Sequence, residues 1–231
     1  ESFAAVADAV RASLVERDDE VDLLMTALVA QESVLLVGPP GVAKSLLLDS
    51  IMAAIGGKTF SILLTRYTTP AHVFGAPSIK GLLDDKPALV TTNRLPEADA
   101  AFVDEVFRAS PAILTTLLKV MNERTFDFGD GVERKIPLRL LVGGTNSCPQ
   151  HMEDGGVELN AFWDRFLVRK FVDDVKSADG NDRLYWDASV GVVAPGTPKL
   201  TLADLDEACR AARAVTWPDA TKEVFVAIVD K

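Results

Sequence analysis

The residues best suited to chemistry begin with Gly38-Pro39-Pro40-Gly41-Val42-Ala43-Lys44-Ser45-Leu46. A glycine-bearing turn at the start of a helix aims backbone N–H groups at an anion, so this stretch could cradle a chain of phosphates. Lys44 would add a mobile cation at the outer phosphates, and Ser45 a hydroxyl for Mg²⁺. ATP and Mg are therefore the expected cofactors, with Gly38 to Leu46 as the binding segment. The glycine usual before the lysine is replaced by Ala43, which suits the position if its backbone is already helical. A Gly-Pro turn that merely precedes a helix is the plainer reading. The Lys-Ser offset, behind a short apolar run, argues against it.

A second group is Ala100-Ala101-Phe102-Val103-Asp104-Glu105. An apolar strand ending in two carboxylates puts them at the sheet edge where α/β ligands bind. Asp104 would hold the metal's water shell, and Glu105 would polarise an attacking water as general base. Asn146, just past Leu140-Leu141-Val142-Gly143-Gly144-Thr145, could orient that water or simply cap a loop. Arg165 could be presented across a subunit boundary to the charge that builds on a transferring phosphoryl group. A surface ion pair with Asp164 or Asp173 is its alternative.

The elements that must position these residues follow from periodicity. Phe3, Val6, Ala7, Val10 and Leu14 recur at helical spacing. The charged break 16–20 precedes a second helix running to Ala30, with Asp18 or Asp19 as its cap. Ser33–Val37 is too short for a helix and reads as a strand buried on both faces of a parallel sheet. Lys44 to Ile55 is a helix stopped by Gly56-Gly57. Further buried strands are expected at Thr59–Leu64, Ala101–Asp104, Leu138–Gly143 and Phe166–Val172, with a helix over Ala112–Glu123 behind Pro111. Short apolar strands alternating with helices imply a three-layer α/β fold around a five-stranded parallel sheet. Residues 74–95 and 125–137 break the rhythm and read as β-hairpin insertions, the second turning at Gly129-Asp130-Gly131. Its arm residues Glu133 to Lys135 are expected to face a client or a neighbouring subunit.

Composition bounds the rest. Of 231 residues 48% are apolar and 25% charged, with a net charge of −10. These are globular values, and the acidic balance argues against nucleic acid as a partner. Cys148 and Cys209 form no C-x-x-C pair, which fits a reducing cytoplasm rather than a disulfide framework. His72 and His151 lack partners at ligand spacing and read as loop residues. No apolar run approaches the ~20 residues of a membrane helix, and no signal-peptide pattern opens the chain. The expected location is cytoplasmic. A GTPase would need an Asn/Thr-Lys-x-Asp loop, and none occurs. A metabolic kinase or a nucleotide-gated scaffold without turnover remain alternatives.

Gly38–Ser45, Thr65-Arg66-Tyr67-Thr68-Thr69-Pro70-Ala71-His72-Val73-Phe74-Gly75, Phe102–Ala109 and Asp164-Arg165-Phe166 occur in order. Together they resemble the MoxR family of AAA+ ATPases, closest to its RavA branch, over nearly all of the chain from about residue 10. The resemblance implies a P-loop NTPase core over 1–199 with N-terminal helices, and the start of a helical lid over 200–231. It implies that Lys44 and Ser45 bind nucleotide and that Asp104 and Glu105 are the Walker B pair. Asn146 would be the sensor-1 residue and Arg165 the arginine finger, with Arg169 a second candidate. No sensor-2 arginine is assigned. The family's members imply a chaperone-like ATPase in a homo-oligomer, a hexameric ring, acting on partners that contain a von Willebrand factor A domain.

Overall fold

A computed structural model describes residues 2–147, 157–193 and 199–229. Helix α1 (Ser2–Ser13) and α2 (Asp18–Ala30) precede β1 (Val34–Val37), α3 (Lys44–Ile55) and β2 (Thr59–Leu63). A projecting segment then carries α4 (Pro70–Phe74), β3 (Ala76–Pro77), α5 (Ile79–Leu83) and β4 (Leu89–Val90). β5 (Ala100–Asp104), α6 (Pro111–Glu123), β6 (Thr125–Asp127), β7 (Glu133–Lys135) and β8 (Leu140–Thr145) follow. The chain continues through α7 (Val157–Trp163), β9 (Val168–Phe171), α8 (Ala178–Trp186), α9 (Leu202–Ala214) and α10 (Asp219–Val229).

The central sheet has five parallel strands in the order β2-β5-β8-β1-β9. Side chains alternate across it with the period of two that a pleat imposes. Val34, Leu36, Ala100, Phe102, Leu140 and Val142 face α1, α2 and α3. Leu35, Val37, Ala101, Val103 and Leu141 face α6 and α7 in a second cluster. This is the expected three-layer α/β fold. Burial of each large apolar side chain contributes about 1.5–3 kcal/mol, so the three inner strands anchor the layers.

The expectations fail where position in the sheet outweighs composition. β2 and β9 are the edge strands, so Thr59, Ser61, Leu63, Arg169 and Phe171 are exposed instead of buried. Neither Asp18 nor Asp19 caps α2; Arg17 holds the N-cap, and both acids lie in the first turn, where they suit the helix dipole. The segment 74–95 is not a plain hairpin: β3 and β4 pair antiparallel around the short α5, which Ser78 caps through Gly81 N–H. β6 and β7 do form the second expected hairpin. Leu89 N–H donates to Phe128 O at 2.7 Å, and Gly129 fits over the Ala88–Leu89 backbone where a side chain would crowd it. The two insertions thus brace each other. Within the hairpin, Arg134 pairs with Asp130 and Glu133 with Lys119, which leaves only Lys135 of the arm without an ion pair among the described residues.

His72 lies in α4, not in a loop; its Nδ1 accepts from Thr69 N–H at 3.2 Å in a capping box. His151 and Cys148 lie outside the described residues. Cys209 is buried on α9, which packs against α2 with Leu205 also in the first cluster. The apolar side chains Val224, Phe225, Val226 and Ile228 of α10 are exposed, with Phe225 edge-on to Trp217.

At the break between α1 and α2, Glu16 takes a left-handed conformation, φ 52°. Its carboxylate accepts the N–H groups of Lys176 at 2.8 Å and Ser177 at 2.9 Å, at the N-terminus of α8. The Ser177 side chain first, then those backbone donors, hold its pKa down at about 2. A depressed carboxylate pKa stabilises the fold above the unfolded value of about 4.5, and that contribution is lost as pH falls through about 2. Glu16→Gln should therefore be less stable than wild type at neutral pH and show a shallower loss of thermal stability between pH 5 and pH 2. Parallel acid-unfolding curves for the two proteins would contradict this anchoring role.

Candidate active site

β1 runs straight into the Gly38–Ala43 loop because Gly38 lies against the end of β9. A Cβ on Gly38 would stand 2.2 Å from Val172 O, so no other residue fits. Its N–H donates to Thr145 O at 3.0 Å, which fixes the loop to the end of β8. Gly41 follows at φ +88°. Ala43 is left-handed as well, at φ 65° and ψ 25°, and not helical as its sequence position suggested. It is the N-cap of α3, one residue before helical backbone begins, and a non-glycine residue there costs about 1–2 kcal/mol. No side chain caps α3, and the N–H groups of Lys44, Ser45 and Leu46 meet no acceptor among the described residues. These are the orphan donors of a helix N-terminus, and they open on the loop.

Lys44 is 6% exposed, and its Nζ donates to Gly38 O at 2.6 Å and Pro39 O at 2.9 Å. Burial pushes its pKa down, while Asp104 and Glu105 pull it back up. No carboxylate reaches it within ion-pair distance among the described residues. A nearly buried cation beside three open N–H groups is charge-complementary to a polyphosphate.

The carboxylates arrive from the neighbouring strands. Val103 pairs with Gly143 and Val37 with Thr145, so β1, β5 and β8 end side by side at one sheet edge. A Cβ on Gly144 would fall 2.4 Å from Asp104 Oδ1, and one on Gly143 would meet Phe166 at 3.0 Å. The paired glycines in β8 are thus required by their neighbours: one makes room for the Asp104 carboxylate, the other for core aromatics. Glu105 turns away at φ 52°, ψ 42°, a backbone state that non-glycine residues hold only under constraint. Its N–H donates to Asp104 Oδ1 at 3.0 Å. The Asn146 amide donates to Glu105 Oε1, and Arg108 Nε lies 3.2 Å from Glu105 Oε2. Asn146 is therefore joined to the catalytic candidate and is not a mere loop cap.

Arg165 stands apart. It precedes β9, at the sheet edge opposite the loop, since Val168 pairs with Val34 at the start of β1. It is exposed, and its side chain makes no hydrogen bond or ion pair among the described residues, so the alternative pair with Asp164 or Asp173 is not formed. Arg169 takes Asp164 instead, at 3.6 Å, stacks 4.9 Å over Trp163 and donates to Phe166 O. Of the two arginines, Arg165 is the one whose side chain has no hydrogen bond or ion pair among the described residues.

Sequence reasoning missed Arg17. It is 6% exposed and donates to Val42 O at 3.2 Å and Asp173 O at 2.8 Å, tying the phosphate-side loop to the chain beyond β9. Arg17 and the loop border a cavity of about 310 Å³ that includes Leu14, Val42, Leu46, Val175 and Leu184. The only signal was an arginine in a charged break, where a solvated face is the ordinary outcome. Among the described residues no three His, Cys, Asp or Glu side chains gather as a metal cluster. Ser45 and Asp104 fit the sparser donor set of a Mg²⁺ ion that completes its shell with phosphates and water.

Fold and site together define a P-loop α/β protein of the AAA+ kind. A candidate ATPase of Cytophaga hutchinsonii shares the fold at TM-score 0.80 and 19% identity, covering 99% of this chain and 68% of that one. NtrX from Brucella abortus, solved with ADP, aligns at TM-score 0.51 and 18% identity over 69% of this chain and 37% of its own. Residues 1–191 match the family described as the MoxR domain in the MoxR-vWA-beta-propeller ternary systems, and the chain belongs to the MoxR family. An uncharacterized protein of Methanocaldococcus jannaschii is 42% identical over 74% of this chain and 44% of its own length. Chaperone MoxR1 of Mycobacterium tuberculosis is 30% identical over 69% of this chain and 41% of its own length. The chain spans less than half the length of these curated relatives.

The left-handed Ala43 generates a test by sign. Ala43→Gly should relieve about 1–2 kcal/mol of backbone strain against about 0.4–1 kcal/mol of added unfolded-chain entropy. Thermal stability should then hold or rise slightly. A loss of about 1 kcal/mol, as for Ala→Gly inside a helix, would place Ala43 in helical backbone after all.

Proposed function

We propose that this chain carries the Mg-dependent ATP-hydrolysing part of a MoxR-type AAA+ machine that remodels or matures a protein partner. The observation that carries the reading is the nearly buried Lys44, without an ion pair among the described residues, beside the uncapped N-terminus of α3, on the sheet edge where Glu105 is held by Asn146. Gly38 to Leu46 would hold the phosphates of ATP, and Ser45 and Asp104 would hold Mg²⁺, which supplies charge neutralisation when bound. Lys44 would exchange its loop carbonyls for phosphate oxygens. Asn146 would orient Glu105, and Glu105 would take the proton of the attacking water. The apolar cavity beside the loop is suited to the nucleotide base.

The remaining features of this reading rest on likeness. The family's description pairs MoxR with vWA proteins, so a partner with a von Willebrand factor A domain is the first candidate. One relative is named a chaperone, which favours remodelling of a protein client. A homo-oligomer, a hexameric ring, would let Arg165 of one subunit reach the γ-phosphate of the next, from a position its own loop cannot use. Among the described residues no helix is long and apolar enough to cross a membrane, compatible with the proposed cytoplasmic location. A division at 199/200, with α9 and α10 belonging to a helical lid, and proximity to the RavA branch are part of the same proposal.

Lys44→Ala should remove ATP binding measured by calorimetry, whereas Glu105→Gln should bind ATP normally and lose about 10²–10⁴-fold in turnover. Equal affinity in wild type and Lys44→Ala would overturn the assignment. The shared site is tested by mixing Arg165→Ala with Glu105→Gln subunits. One protein keeps its carboxylate and the other its finger, so activity should exceed either alone and peak at intermediate ratios. Co-assembled subunits without recovered activity would remove Arg165 as the finger in trans.

A further inference from the structure

The cavity beside the phosphate loop is walled mostly by apolar side chains, Leu14, Val42, Leu46 and Leu184 among them, and three polar side chains also line it. Arg17 is engaged within the fold, its guanidinium donating to the carbonyls of Glu16, Val42 and Asp173. Asp174 is exposed, so water competes for its carboxylate. Asn181, the third, is partly buried. It reaches the cavity because α8 is pressed against the break between α1 and α2. A Cβ on Gly180 would stand 2.6 Å from the Val175 side chain and 2.7 Å from Glu16 Oε1, so the first turn of α8 lies against both. Ser177 caps that turn by accepting Gly180 N–H at 2.9 Å. Asn181 Nδ2 then donates to Ser177 O at 2.9 Å, and Oδ1 meets no donor among the described residues. This bond orients the amide, because turning it over would lose the bond and set Oδ1 against a carbonyl oxygen. Held by its nitrogen, the side chain has an oxygen left to offer, which accepts and cannot donate.

We infer that Asn181 is the residue that selects adenine over guanine, its Oδ1 accepting a hydrogen from the exocyclic 6-amino group of the base. The inference rests on the proposed ATP-binding reading, which by itself names no side chain that tells one purine from another. Adenine presents a donor at position 6, whereas guanine presents an oxygen there, which would meet Oδ1 acceptor against acceptor. Apolar walls separate the two rings weakly, since both have the same flat faces. A fixed acceptor discriminates more strongly, because the wrong base leaves polar groups unpaired or opposed.

The test is equilibrium binding of the chain to three triphosphates in the presence of Mg²⁺. These are ATP, purine riboside triphosphate, which lacks only the 6-amino group, and inosine triphosphate, which carries oxygen in its place. Wild type should bind ATP about three- to tenfold more tightly than purine riboside triphosphate, the range of one neutral hydrogen bond, and inosine triphosphate more weakly still. Asn181→Leu should bind ATP and purine riboside triphosphate within about twofold of each other, with affinity for the latter kept. Ser177 O retains the backbone N–H of residue 181 at 3.1 Å, so the turn survives the substitution. Asn181→Asp keeps an acceptor and should keep the preference for ATP over purine riboside triphosphate, whatever its absolute affinity. Equal binding of those two ligands by wild type, a preference that persists in Asn181→Leu, or its loss in Asn181→Asp overturns the inference and leaves the ATP site standing. A parallel loss of both ligands in Asn181→Leu would make the residue structural and overturns it as well. Failure of wild type to bind any of the three would instead defeat the ATPase reading, and with it the inference.

Discussion

The structure depends on how closely β1, β5, β8 and the end of β9 approach one another at their C-terminal edge. Parallel strands deliver their ends to one side, but only glycine lets those ends carry chemistry without collision. Gly38 admits the backbone carbonyl of Val172, and Gly144 admits the Asp104 carboxylate. Substituting either would push apart the loop and the acidic pair. The conformational cost of the site is concentrated in two non-glycine residues, Ala43 and Glu105, both held left-handed by that packing.

Electrostatics follow from the same arrangement. Among the described residues, the sheet edge gathers the nearly buried Lys44, three open N–H groups and two carboxylates that make no ion pair with Lys44. Lys44 rests on its own loop's carbonyls, which is a reversible resting state. Those neutral acceptors can be exchanged for phosphate oxygens at lower cost than breaking an ion pair.

Much of this was legible in the sequence, because the inner strands are short uninterrupted apolar runs and Val34–Val37 leads directly to a glycine turn. The Gly38–Ser45, Asp104–Glu105 and Asn146 signals all landed on one edge, since each follows an inner strand of the same parallel sheet. What the sequence could not show is set by tertiary position. Edge strands β2 and β9 read as buried because their composition is apolar enough, but among the described residues nothing lies beyond them to cover Leu63 or Phe171. Alanine at 43 suits helical backbone, but the position is left-handed, a conformation that propensity does not report. Arg17 and Arg108 were invisible as site residues, since their partners are the Val42 and Asp173 carbonyls, and a carboxylate already given another role.

The central claim is that the backbone donors after Gly38 are kept open for the phosphates of a nucleotide. Amide hydrogen exchange of a peptide spanning residues 38–46, with and without Mg-ATP, tests it most directly. Fast exchange is expected in the nucleotide-free protein, and strong protection in this segment, greater than in any other surface loop, once Mg-ATP is bound. Saturating Mg-ATP binding that leaves exchange in 38–46 unchanged while protecting another region would contradict it.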